Sequence, residues 1–305
     1  MRDFLKKHPF LPAPMEGVMR PAVIGACNFL QLTPVWVTPF FRVTEHVPKA
    51  RELKKFLQPF GVQDHRVILQ IMGKDPQRLA DTASLAMELG AAGIDLNCGC
   101  PSNQVVRHGS GAGCMLNIDH TARIIAAVRR SIPESFFSVK TRLGFYDAAE
   151  CEKFLPCWEA AGQPDLFTLH YRTAVEGYRR VPGREERLAA AGKLVSRALV
   201  FGNGDVENIQ EARELMQTAG LAGVMIGRGF WHDPYILARA VDPLQSAEAP
   251  NAAAARQKLW QQLEALPFEK EVWSRGSAIE MASLIMGPDS PEAQKLKAQF
   301  RSSGH

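Results

Sequence analysis

No stretch of this sequence approaches the roughly 18 uninterrupted apolar residues that a membrane-crossing helix needs, so no membrane span is expected. The opening segment MRDFLKKHPFLPAP lacks the continuous apolar stretch and small-residue cleavage site of a secretory leader, which predicts a cytoplasmic protein. Cysteine is scarce, with 6 in 305 residues. That is too few for a disulfide scaffold, and a reducing compartment would keep Cys27, Cys98, Cys100, Cys114, Cys151 and Cys157 as thiols. There is no CxxC knuckle and no HxxxH pair, so no metal site is expected. A strong excess of one charge is also missing. The formal net charge of +4 permits a polyanionic partner without the strongly basic signature of a dedicated nucleic-acid domain. Finally, no GxGxxG follows the first apolar run, which argues against an open dinucleotide-binding sheet.

What is present is an average globular composition, 46% hydrophobic and 22% charged, sufficient for a large buried core. Short apolar runs alternate with longer amphipathic ones. The predicted strands are FLPAP (10–14), VWVT (35–38), RVILQIM (66–72), GIDLN (93–97), FFSVKTR (136–142), LFTLHY (166–171), ALVFGN (198–203) and GVMIG (223–227). Between them, DPQRLADTASLAMELG, IDHTARIIAAVRRS and NIQEARELMQTAG place apolar residues three and four apart, as helices with one sheet-facing side require. The first and last of these close on a glycine suited to a left-handed cap. Repeated βα units of this kind predict an α/β fold, a (β/α)8 TIM barrel of about 250 residues. The expected division is a barrel over residues 1–242 and a small C-terminal helical appendage over 243–305. The appendage would open with a linker from Asp242 and end in a frayed RSSGH.

A TIM barrel carries its chemistry at the C-terminal ends of the strands. There this sequence has Met15 and Glu16, Thr38, Gln70, Asn97 and Cys100, Lys140 and Arg142, His170 and Arg172, Asn203, and Arg228. Polar side chains in so apolar a setting must be paired or face a ligand. FGNGDV (201–206) and MIGRGF (225–230) follow the last two strands. Their glycines serve either tight turns or a backbone cradle for a phosphate. Lys140 suits a Schiff-base nucleophile or a cation beside an electron-rich ring. Gln70, Asn97 and His170 supply hydrogen-bonding groups without a carboxylate pair, which favours a flat heteroaromatic cofactor.

Taken in order, LPAPMEGV (11–18), LQIMG (69–73), DLNCGCPS (95–102), GSGAGCML (109–116), VKTRLG (139–144), LHYRT (169–173), FGNGDV (201–206) and VMIGRG (224–229) resemble the tRNA-dihydrouridine synthases. The resemblance covers roughly residues 10 to 240, and PMEGV, FFRV and NCGCPS are most similar to the bacterial branch that modifies uridine 16. It implies FMN at the barrel mouth, NADPH as reductant and the D-loop of tRNA as partner. Pro14 and Met15 would lie along the flavin, with Gln70 and Lys140 at its ring edge and His170 beside it. Asn203, Gly204, Asp205, Gly227 and Arg228 would hold its phosphate. Cys100 matches the family's general acid, and a thiol suits that role because at neutral pH it is mostly protonated yet able to give up a proton. Asn97 matches the asparagine that helps position the uracil.

Cys98 and Cys114 are expected to be structural. Arg142, Arg172, Tyr178, Arg179 and Arg180 flank the mouth as candidate contacts to RNA phosphates or an extruded base, Arg172 and Tyr178 foremost. The sequence departs from the family at Asn103, commonly lysine, and at Pro39, usually glutamate, and its tail is short with few basic residues. Two other readings stand beside a tRNA-modifying enzyme. One is a flavin reductase of another RNA or a free pyrimidine, and the other is a flavin barrel kept only to bind RNA. A monomer is expected.

Overall fold

The computed structural model describes residues 1–241, 249–267 and 273–302. Among the described residues nine strands form, in chain order β1 (Phe10–Pro12), β2 (Val35–Val37), β3 (Phe41–Arg42), β4 (Arg66–Met72), β5 (Gly93–Cys98), β6 (Phe137–Arg142), β7 (Leu166–His170), β8 (Leu199–Asn203) and β9 (Gly223–Ile226). Eight of them lie side by side, all parallel, in the order β1-β9-β8-β7-β6-β5-β4-β2. β1 and β2 come together at the seam of a nearly closed TIM barrel without exchanging a ladder. The expected strands reappear within about two residues at either end, because parallel strands buried on both faces read as unbroken apolar runs. The two-residue β3, which pairs with the end of β4 at Phe41↔Ile71, is too short to have a period and was not foreseen.

Helices close the crossovers where the amphipathic runs predict them: Pro76–Glu88, Ile118–Ser131 and Ile209–Thr218. Their starts are capped by side chains that accept from the first turn, Asp75 from the Arg78 N–H at 2.8 Å, Asn117 from His120 at 3.1 Å and Asn208 from Glu211 at 2.9 Å. Gly90 and Gly220, just past two of these helices, take positive φ of 94° and 62°, the left-handed stop expected of them.

Inside the barrel the lower part is apolar, filled by Leu11, Val35, Val37, Ile68, Leu166, Phe201 and Met225. Helix Arg2–Lys7 closes the bottom with Leu5 fully buried in that cluster. Above it the inward positions turn polar. Register pairs Gln70 with Asp95, Asn97 with Lys140, and His170 with Asn203. Strand alternation therefore stacks these side chains on the inner face.

After the barrel, helices Ala252–Glu264, Arg275–Ile285 and Pro291–Ser302 follow. Trp260, Trp273, Met281 and Ile285 are buried in the same cluster as Trp36 and Phe230 of the barrel wall. Residues 242–248 of the expected linker, 268–272 of the tail and 303–305 of the expected frayed end lie outside the described residues. Among the described residues no helix is long and apolar enough to cross a membrane.

Candidate active site

At the C-terminal mouth a cavity of about 330 Å³ opens. Most residues singled out from the sequence line it: Pro14 and Met15 after β1, Gln70 from β4, Asn97 and Cys100 from the end of β5, Lys140 and Arg142 from β6, His170, Arg172 and Tyr178 from β7 and its loop, and Asn203, Gly204, Asp205, Gly227 and Arg228 from the last two strand ends; Thr38, Arg179 and Arg180 lie outside its lining.

The thiol of Cys100 is half-buried on the rim. Its backbone is held from both sides. The Cys100 N–H donates to Asn97 Oδ1 at 3.0 Å, beside the Gly99 N–H at 3.1 Å, and the Cys100 carbonyl accepts from the Ala112 N–H at 2.9 Å. Gly111, at φ 56°, lets that turn come close. A Cβ there would stand 2.8 Å from Cys100 O and 2.6 Å from Val105 Cγ1, so only glycine fits. Asn97 is itself anchored, its Nδ2 donating to Gln70 Oε1 at 2.8 Å, and Gln70 Nε2 in turn donates to Asp95 Oδ2 at 2.7 Å. Asp95, 1% exposed, has its other oxygen taken by Ser138 Oγ–H at 2.6 Å. Burial pushes this carboxyl up to about 6, against the hydrogen bonds from Ser138 and Gln70 and the charge of Lys140.

Among the described residues Lys140 Nζ has no hydrogen-bond or ion-pair partner. Burial, then the Arg142 charge, lower its pKa to about 8, against the pull of Asp95, so the ammonium is still mostly protonated at neutral pH. His170 is pushed well below the usual histidine range by burial and by Arg142, Lys140, Arg172 and Arg228. It is therefore neutral. Its Nδ1 accepts from the Arg172 N–H at 3.3 Å, which puts the ring proton on Nε2.

The turn after β8 is unusual. Gly204 takes φ 118° and Asp205, a non-glycine, φ 48°, and a Cβ on Gly204 would stand 2.7 Å from Tyr171 Cδ1. Among the described residues the N–H groups of Gly204 and Asp205 have no acceptor. The Asp205 carboxylate gathers the surrounding donors: Tyr171 O–H at 2.8 Å, both terminal nitrogens of Arg172, and Arg228 at 3.1 Å. Burial raises its pKa, but these hydrogen bonds and the Arg172 and Arg228 charges outweigh it and hold the carboxyl below the usual range.

Two arginines read from the sequence as candidate RNA contacts at the mouth are buried and direct their donors to the protein itself. Arg172 is 2% exposed, forks onto Asp205, and donates through Nε to the Arg179 carbonyl. Arg142, 4% exposed, donates to the carbonyls of Gly99 at 2.9 Å, Thr173 at 2.9 Å and Gly177 at 3.0 Å. Both staple the loop after β7 to its neighbours, a use that a strand-end arginine in a sequence does not reveal. Tyr178, 75% exposed, is presented at the top of that loop, with Arg179 and Arg180 exposed beside it.

Asp95 and Ser138 are not among the residues assigned from the sequence, although Asp95 lies two residues before Asn97 and so shares its inward face. Cys98 and Cys114 are both buried in the same core cluster, as structural cysteines would be. Among the described residues no group of three or more His, Cys, Asp or Glu could hold a metal ion.

A parallel barrel with buried charge and a single accessible thiol at the C-terminal mouth is the architecture of a TIM-barrel enzyme. The fold is shared with a solved 2-naphthoyl-CoA reductase complex (TM-score 0.60, 11% identity, 78% of this chain and 49% of that one). In sequence, the family profile Dihydrouridine synthase matches residues 11–300, so the tail is included and the likeness extends beyond residue 240. The chain is 37% identical over 240 residues to the tRNA-dihydrouridine(16) synthase of Cupriavidus necator (74% of this chain, 71% of that one). It is 32% identical over 272 residues to that of Aquipseudomonas alcaligenes (86% and 82%). The chain belongs to the dihydrouridine synthase family, and its likeness lies with the enzymes named for position 16.

Proposed function

We propose that this chain reduces the C5–C6 double bond of a uridine in the D-loop of tRNA, at position 16, in the cytoplasm, with FMN as cofactor and NADPH as reductant. The observation that carries the reading is the sharing of one cavity by the Cys100 thiol, the unpaired Lys140 ammonium and the Gly204–Asp205 and Gly227–Arg228 turns.

The donor set fits a planar ring with a phosphate tail. The unpartnered N–H groups of Gly204 and Asp205 suit an anion, as does Arg228, whose side chain is 56% exposed. A Cβ on Gly227 would meet nothing nearer than Ala13 Cβ at 3.9 Å, so the main chain there faces open space. Lys140 and the amide of Gln70 suit a polar ring edge, and Pro14 and Met15 a ring face. A bound flavin would supply hydride to C6 of the uracil and be replenished from NADPH.

The protein's own part is the proton and the geometry. Cys100 holds a hydrogen on Sγ at the rim and gives it to C5 as the C5–C6 π pair is drawn toward that carbon; solvent then returns a proton to the thiolate. Asn97 fixes the main chain of Cys100 and so aims the thiol. Lys140 offsets negative charge at the centre of the mouth. Neutral His170, with its Nε2 proton, donates a hydrogen bond without adding a further cation. Tyr178 offers a face on which an extruded base can stack. Arg172 and Arg142 hold its loop rather than touch RNA.

The direct test is to mix the purified chain, FMN, NADPH and an unmodified tRNA transcript and assay dihydrouridine. Formation in the D-loop, absent without NADPH, is expected. A flavin-loaded protein that oxidises NADPH yet leaves every tRNA uridine unchanged would overturn the reading.

A further inference from the structure

Beneath the mouth lies a directed chain of hydrogen bonds: Ser138 Oγ–H to Asp95, Gln70 Nε2–H to Asp95, Asn97 Nδ2–H to Gln70 Oε1, and the N–H groups of Gly99 and Cys100 to Asn97 Oδ1. Each link is 2.6 to 3.1 Å long, and Asp95, Gln70 and Asn97 are all buried. An amide side chain has one accepting and one donating end, so the direction of each link fixes the next. The two main-chain N–H groups can only donate, which turns the Asn97 oxygen toward them. Asn97 must then donate to Gln70, and Gln70 must donate onward. The chain closes only if residue 95 accepts. The other oxygen of Asp95 takes the Ser138 hydroxyl hydrogen, and the backbone of Gln70 is fixed separately by its N–H donating to Thr38 Oγ1 at 3.0 Å.

We propose that Asp95 is the positioning residue for Cys100: as an acceptor at the base of this chain it sets the orientation of the Gln70 and Asn97 amides and thereby pins the main chain that carries the thiol. The catalytic use of Cys100 rests on the function proposed above, but the pinning itself does not. A buried amide with no partner for its donating end would flip or draw in water, and a flipped Asn97 would set two N–H groups against a third donor. Holding a reacting group within a fraction of an ångström is what supporting hydrogen bonds of this kind do.

The chain demands an acceptor rather than a charge. In Asp95→Asn the amide oxygen can face Gln70 while its NH₂ donates to Ser138 Oγ, whose hydrogen then turns to the Ile94 carbonyl, 3.5 Å away. Asp95→Leu, of similar size, removes the acceptor altogether.

The test is residue-resolved amide hydrogen exchange on the flavin-loaded protein. Asp95→Leu should speed exchange at Gly99 and Cys100 by roughly tenfold or more, with the flanking ladder amides of Leu96 and Val139 unchanged, and Asp95→Asn should restore the wild-type rates. Cys100 alkylation by iodoacetamide should follow the same order. If Asp95→Leu fails to fold, Gln70→Leu breaks the next link and should release the same two amides. The proposal is overturned if the folded leucine variant leaves Gly99 and Cys100 protected, if Asp95→Asn exchanges as fast as the leucine variant, or if acceleration spreads evenly along β5. These rates need no turnover, so loss of the proposed tRNA activity and loss of the pinning are read separately. Where turnover is present, Asp95→Leu should lower kcat for tRNA while flavin reduction by NADPH is kept, and Asp95→Asn should recover it.

Discussion

A lysine at the centre of a barrel mouth is expensive to keep charged, and Lys140 carries that cost in its pKa. Burial and Arg142 bring it to about 8 from an ordinary 10.5, so its cation is present below pH 8 and is lost as the pH rises through that value. If the ammonium offsets negative charge on a bound ring, FMN affinity should be flat from pH 6.5 to 7.5 and weaken above about 8. Lys140→Met should bind more weakly and show no such decline. Fluorescence titration of FMN across this range decides it, and an equal decline in the methionine variant would remove Lys140 from the account. At this scale the sequence was legible in residue type and incomplete in use. Lys140, His170 and Cys100 could be picked out because polar groups at the ends of apolar strands need a reason. Arg142 and Arg172 could be picked out too, but their partners are carbonyls and a carboxylate on loops far away in sequence, which no local pattern encodes. Asp95 carries no such signal, because its role depends on Gln70 and Ser138 of the neighbouring strands.

Elements are set by periodicity and caps, which is why the strands and the helix Ile118–Ser131 were legible, while β3 was not. What the sequence does not announce is how elements are tied across the barrel wall. Glu159, in helix Cys151–Gly162 and 6% exposed, accepts four hydrogen bonds from the segment entering β8: the N–H groups of Ser196, Arg197 and Ala198 and the Ser196 hydroxyl, at 2.8 to 2.9 Å. Burial pushes its carboxyl up, but the backbone donors prevail and hold it below its ordinary value of 4.5. Its stabilising effect is therefore present above pH 4.5 and fades as the pH falls through the lowered folded value. Glu159→Gln should lose on the order of 1–3 kcal/mol at pH 7, since an amide turns a donor toward one of these N–H groups. The gap to wild type in urea unfolding should narrow at acid pH; a gap independent of pH would mean the charge plays no part.

Across the whole molecule, apolar packing and chemistry occupy opposite ends of the same barrel. Helix Arg2–Lys7 and the apolar interior seal the bottom, while loops from β1, β4, β5, β6, β7, β8 and β9 converge on one cavity at the top. The tail, expected from the sequence to depart from the family, buries Trp260 and Trp273 with the barrel wall, and the family match runs through it to residue 300. Burial of the tail's tryptophans in one cluster with Trp36, near the start of the chain, is a tertiary fact, hidden from a local reading. The claim that joins these parts is that the molecule protonates a tRNA uracil with the Cys100 thiol. It is tested most directly by mapping dihydrouridine, through reduction-dependent reverse-transcription stops, in RNA from cells lacking this gene and supplied with wild type or Cys100→Ala. The account predicts a site at position 16 that disappears without the gene and returns with wild type. With flavin-loaded Cys100→Ala it should remain lost, or return at a rate lower by about 10²–10⁴-fold. Full restoration by Cys100→Ala, or an unchanged D-loop in cells without the gene, would contradict it.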